Sequence, residues 1–179
     1  MFHIVNVGKY AVANNPLKCR FYRPPTIISD CMFVLNKMKK QMEKYNLQNE
    51  LEVFGRQVKT FPDGIDEAFD ALVKMLGGFD RSYYGISYMT PDGKMIYYAT
   101  AIEKETGEAE KYNCDRLTIE KGEYLAITVN NWRSKTGTIK NVFHEIMNDG
   151  RADKTKPAVE WYKNDDEMLC MVKTIEKVN

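Results

Sequence analysis

The sequence predicts an α+β fold. Two strand-helix-strand-strand units form a largely antiparallel curved sheet with two helices on one face. Three observations predict it. An amphipathic helix follows Pro62-Asp63 and another follows Ser134-Lys135-Thr136, each succeeded by a turn and two strand-like stretches. Phe69 to Gly85 is sixteen residues, and so is Phe143 to Val159. Neither unit can bury its apolar helix face and strand face alone, so a shared sheet is the simplest solution.

The elements follow in chain order. Ile4–Val7 and Tyr10–Val12 read as short strands, and the breakers Asn14-Asn15-Pro16 and Pro24-Pro25 follow them. Residues 30–46 read as a helix capped by Ser29 or Asp30, with Met32, Leu35, Met38, Met42 and Tyr45 as its apolar stripe. Lys37, Lys40 and Lys44 give it a basic side, either a solvated face or a surface for nucleic acid or a protein partner. Residues 1–49 are therefore set apart as an N-terminal extension, and residues 50–179 as the main domain.

Within the main domain, Leu51–Phe61 alternates imperfectly and reads as a strand. Pro62-Asp63-Gly64 turns the chain into a helix. Its buried face is Ile65, Ala68, Phe69, Leu72, Val73 and Leu76, and Gly77-Gly78 stops it. Tyr83–Met89 and Met95–Ile102 form a hairpin across Thr90-Pro91-Asp92-Gly93. The second unit repeats this order. Arg116–Ile119 turns through Glu120-Lys121-Gly122 into Glu123–Val129. Ser134 or Thr136 caps a helix that buries Ile139, Val142, Phe143, Ile146 and Met147. Ala158–Tyr162 and Met168–Ile175 close the last hairpin.

Composition excludes several functions. The chain has 179 residues, 44% hydrophobic, enough for one packed domain. Lys and Arg number 26 against 25 Asp and Glu, so no basic surplus points to nucleic acid. No GxGxxG or GxxxxGK[ST] phosphate loop occurs, and no cofactor is expected. Cys19, Cys31, Cys114 and Cys170 form no CxxC, and with only His3 and His144 there is no metal-site spacing. The cysteines read as reduced thiols of a cytoplasmic protein. Met1-Phe2-His3 lacks the basic start of a signal peptide, and no apolar run is long enough to span a membrane.

Glu160 is the sharpest functional candidate. It lies inside Ala158-Val159-Glu160-Trp161-Tyr162, and a buried acid there needs a partner or a task. Alternation puts Glu160 on one face with Ala158 and Tyr162, and Trp161 on the other, in the helix-covered core. If its face lines a cavity, Glu160 can pair with a cationic ligand or serve as a general acid or base; if not, it is a solvent-facing glutamate. Tyr84 and Tyr88 share a face with Ile86, and Tyr97 and Tyr98 point oppositely, so one of them reaches the core. Gly85 leaves room for an opposing group, or marks a bulge. Tyr124 shares a face with Ala126 and Thr128. Trp132 either closes over a ligand or plugs the core. The sixteen-residue spacing matches Ile86 to Glu160.

Gly122-Glu123-Tyr124-Leu125-Ala126-Ile127, the helix 137–148, Pro157–Tyr162 and Tyr84-Gly85-Ile86-Ser87 together resemble the GyrI-like small-molecule-binding domain, also called the AraC-type effector-binding domain, in its stand-alone form. The resemblance covers about residues 50–176. It implies a pocket at a pseudo-two-fold seam that receives a lipophilic or cationic molecule, with Glu160 as its acid. Tyr84, Tyr88, Tyr124, Trp132 and Tyr162 would be its walls. Such domains serve as sensors or regulators. Some relatives are glutamate-dependent hydrolases, which would make Glu160 catalytic, and others are protein-interaction modules of gyrase-inhibitor type. Two features depart from the pattern. Leu125 stretches the usual Gly-x-Tyr-Ala by one residue, and the first 50 residues match no standard DNA-binding module.

Overall fold

The computed structural model describes residues 41–176. The strands expected at 4–7 and 10–12, residues 30–40 of the expected helix, and His3, Cys19 and Cys31 lie outside the described residues. The described elements are β1 (Met42–Leu47), β2 (Leu51–Gln57), α1 (Ile65–Leu76), β3 (Tyr83–Met89), β4 (Met95–Ile102), a short α2 (Glu108–Lys111), β5 (Asp115–Ile119), β6 (Gly122–Asn130), a 3₁₀ helix (Trp132–Thr138), α3 (Ile139–Met147), β7 (Ala158–Tyr162) and β8 (Glu167–Lys173). All strand pairs are antiparallel. The α+β architecture, with helices on one face of the sheet, is the one the sequence predicts.

The sheet order is β1-β6-β8-β7-β3-β4-β2-β5. Reading inward from its two ends, β1 matches β5, β6 matches β2, β8 matches β4, and β7 meets β3. The order is that of a pseudo-two-fold with its axis between β3 and β7. Two short links then dictate the curvature. Only residues 120–121 join β5 to β6, and only 48–50 join β1 to β2. Each link spans six places in the sheet order. In a flat sheet six places cover about 29 Å. A two-residue link reaches only roughly 11 Å. The sheet must therefore curl until its ends approach each other. Packing agrees, because Leu47 and Tyr124 at one end share a buried cluster with Val53 and Ile119 at the other. That cluster fills the inside of the curl, and Met171, Leu169, Ala126, Val159, Ile86 and Tyr84 complete it.

The helices pack on the outer face. α1 sets Phe69 and Leu72 against Tyr83, Tyr97 and Ala101. Gly77, at φ 80°, donates its N–H to Val73 O and ends the helix in a left-handed turn that a side chain would strain. α3 buries Val142 and Ile146 against Leu125, Ile127, Cys170 and Val172.

Three sequence expectations change. Residues 42–46, read as the end of a helix, belong instead to an edge strand that pairs with β6 from Met42↔Ile127 to Leu47↔Gly122. Tyr45 and Leu47 point into the curl, and Met42 packs on the outer cluster. The sheet thus takes in part of the 1–49 segment. α3 is capped by neither Ser134 nor Thr136. Those residues lie in the 3₁₀ helix, where Ser134 Oγ donates back to Asn131 O. Finally, Ile86 is not the counterpart of Glu160. Ile86 points into the curl, whereas Glu160 lies on the helix side with Ala158 and Tyr162. Gly85 is third in β3 and Glu160 third in β7, and the two pair directly. The pseudo-axis passes between them.

A carboxylate held by two tyrosines at the seam

Alternation along β7 turns Glu160 toward the helices, and the β3–β7 register sets it opposite Gly85. Gly85 also pairs with Ala99, and Glu160 pairs with Cys170 on its other side. Small residues therefore flank the acid across the sheet. The register runs unbroken through Gly85, so there is no bulge. Gly85 is instead a position of close approach. A Cβ there would run into the Tyr97 hydroxyl and lie 2.6 Å from Glu160 Oε2.

The Tyr97 and Tyr162 hydroxyls each donate to Glu160 Oε2, both at 2.6 Å, and the two phenol oxygens are 3.2 Å apart. Further rings flank these two. Phe61 stacks on Tyr97 with centroids 5.1 Å apart. Phe69 from α1 and Trp132 from the 3₁₀ helix meet Tyr162 edge-on, each at 4.9 Å. Tyr97 is buried, while Glu160, Tyr162, Phe61, Phe69 and Trp132 all keep some contact with solvent. Each helical layer thus contributes a ring at the seam.

Electrostatically the site is unusual, because its acid is met by hydroxyls. Among the described residues no Lys or Arg forms an ion pair with Glu160. Burial pushes its carboxyl above the ordinary range, and the Tyr162 and Tyr97 hydrogen bonds only partly oppose this. Burial and the adjacent acid hold both tyrosines well above the usual phenol range. The arrangement can receive a positive charge or a proton.

Of the six residues singled out in the sequence, the structure brings together Glu160, Tyr162 and Trp132. Tyr84, Tyr88 and Tyr124 lie across the sheet. Tyr84 stacks near Trp161 at 6.1 Å, inside the curl. Trp161, expected in the helix-covered core, is there too, because Glu160 takes the helix side and alternation does the rest. Tyr88 stacks on Tyr98. Tyr124 donates its hydroxyl to Glu120 O at 2.5 Å, and burial pushes it up to about 12. It lines a separate small recess with Ile86, Ile119 and Val159, rimmed by Lys156 and Lys173. Tyr97, Phe61 and Phe69 were missed. The opposed Tyr97 and Tyr98 signalled that one would be buried, but strand order was needed to bring it to Glu160. His144 is exposed and bonds with Asn148. Among the described residues no cluster could hold a metal ion, and no helix is long and apolar enough to cross a membrane.

No protein-family model and no curated protein matches the chain. Solved structures do. An integron cassette protein from the mobile metagenome of Vibrio cholerae is 15% identical, with a TM-score of 0.57 over 75% of this chain and 95% of that one. SAV2435, solved bound to tetraphenylphosphonium, is 14% identical, with a TM-score of 0.56 over 75% of this chain and 94% of that one. At these identities the likeness shows a shared fold, and the chain has that fold.

Proposed function

We propose that the chain is a GyrI-like binding module for a small lipophilic cation, received at Glu160 as sensor or regulator. One observation carries this reading: a carboxylate at the seam, held by two tyrosine hydroxyls among aromatic rings, with no cationic partner among the described residues. A ligand's positive charge would supply what the site lacks, and Trp132, Tyr162 and Phe69 offer ring faces and edges to its apolar groups. The tetraphenylphosphonium bound by SAV2435, a protein of the same fold, supports this choice of ligand class. Tyr97, Phe61 and Phe69 join Glu160, Tyr162 and Trp132 in the proposed site. Tyr84, Tyr88 and Tyr124 stand behind the strands that carry it.

Calorimetric titration tests the reading with two probes of one shape and opposite charge. Tetraphenylphosphonium should bind and tetraphenylborate should not. Glu160→Gln should weaken phosphonium binding by about tenfold or more. Equal binding of both ions, or an unchanged affinity in Glu160→Gln, overturns it.

The raised carboxyl also supports a second reading, a hydrolase in which Glu160 takes a proton from water beside the two phenols. Loss of turnover in Glu160→Gln with ligand binding retained would establish it over the first.

A further inference from the structure

The 3₁₀ helix that carries Trp132 has no buried residue. Trp132 itself packs on the outer cluster, but the rest of the segment is thinly packed and needs another anchor to hold the ring in one orientation. The β7–β8 turn supplies one. Asn131 N–H donates to Asp166 Oδ1 at 2.9 Å, and Trp132 N–H donates to Asp166 O at 3.2 Å. The indole Nε1–H donates to Asn164 O at 2.9 Å. Arg133 pairs with Asp165 at 2.6 Å and lies 4.7 Å from the Trp132 ring. Asn164 Oδ1 in turn accepts from the N–H groups of Asp166 and Glu167, which shapes the turn itself. Asn131 sits at φ 53°, a left-handed conformation uncommon outside glycine, which the Asp166 bond helps to maintain.

From this geometry we infer that Asp166 is a positioning residue: it fixes the approach to Trp132 and so sets the aromatic wall over Tyr162 and Glu160. The inference rests on the proposed binding site for its functional consequence, but the placement of the ring can be read without any ligand. Asp166 touches neither the carboxylate nor its tyrosines among the contacts above. Its influence runs through the backbone of Asn131 to the indole, and from the indole edge to Tyr162. The residues these contacts join are 32 to 35 positions apart in sequence. Local propensity alone therefore cannot maintain the contact.

The test uses the full chain with Trp161→Phe, leaving Trp132 as the single fluorescent indole. Asp166→Ala removes the carboxylate acceptor, and Asp166→Asn keeps an oxygen acceptor there. Without ligand, Asp166→Ala should shift Trp132 emission to the red and raise its quenching by acrylamide, while Asp166→Asn stays close to the parent. With tetraphenylphosphonium, Asp166→Ala should bind about tenfold more weakly, as expected for losing one charge-assisted hydrogen bond. Circular dichroism melting checks that each variant is folded. An unchanged emission spectrum in folded Asp166→Ala overturns the inference, as does an Asp166→Asn variant as perturbed as Asp166→Ala. If the parent does not bind tetraphenylphosphonium, the proposed function fails, while the ligand-free spectra still decide the role of Asp166.

Discussion

Glu108 and Glu160 are two enclosed carboxylates with opposite surroundings. Glu108 meets Arg81, whose Nη1 and Nη2 donate to it at 2.9–3.1 Å, and it also accepts the Lys104 backbone N–H at 2.7 Å. Arg81 and the Lys104 and Glu105 N–H groups pull its carboxyl down to about 2 despite burial. Among the described residues Glu160 has two neutral phenols and no cation beside it, and burial wins. The first acid is satisfied by its own chain and ties the 104–108 loop to the start of β3. The second has no counter-charge among the described residues. In one small domain, the difference separates a carboxylate matched by an arginine from one enclosed with neutral donors.

The contrast can be broken experimentally. The largest effect should come from Arg81→Ala, which strands Glu108 without its counter-ion. A loss of roughly 3–5 kcal/mol in denaturant unfolding is expected. Next, Gly85→Ala should cost roughly 1–3 kcal/mol, because its methyl collides with the Tyr97–Glu160 contact and the flanking sheet leaves nowhere to move. A smaller penalty of about 1 kcal/mol is expected for Tyr162→Phe, which removes one donor and should raise the Glu160 carboxyl further. The smallest effect has the opposite sign. Glu160→Gln should leave the domain equally stable or about 1 kcal/mol more stable at neutral pH, since an ionised acid no longer needs to be enclosed.

Stability against pH sharpens the same comparison, because the two acids slope in opposite directions. Glu108 is depressed, so its contribution is complete above the ordinary carboxyl value near 4.5 and is lost as pH falls toward 2. Glu160 is raised. In the window above 4.5 the unfolded chain has released the proton that the folded chain retains, so stability declines there as pH rises. Melting curves of Glu108→Gln should lack the acid-side loss, and those of Glu160→Gln should lack the decline above it. A wild-type profile in either variant would remove the distinction.

Periodicity made the helices and both hairpins legible, since Ile65, Phe69 and Leu72, or Val142 and Ile146, repeat at helical spacing whatever they pack on. β1 was not legible. Met42 and Tyr45 are three apart, with Glu43 and Lys44 between them, and a short edge strand with such spacing mimics a helix tail over so few residues. Glu160 stood out because an acid among apolar strand residues is conspicuous. Its partners did not, because pairing β7 with β3, and β3 with β4, is decided by the whole sheet. Alternation correctly separated Tyr84 from Gly85 and Trp161 from Glu160. It cannot say which side the helices cover, and that information arrives only with the crossover connections.

The exchange of edge strands has a consequence for how the molecule could be divided. β1 precedes α1 yet, among the described strands, pairs with β6 of the later half, and β5 makes the reciprocal crossing to β2. Cutting the chain between β4 and β5 would leave two pieces, each lacking a strand it needs and carrying one the other needs. Such pieces should recognise each other by completing one another's sheets, as the arms of two interlocked subunits do. The covalent chain through residues 103–107 would then act as a tether between mutual donors, making permanent an embrace that two separate half-length chains could form by themselves.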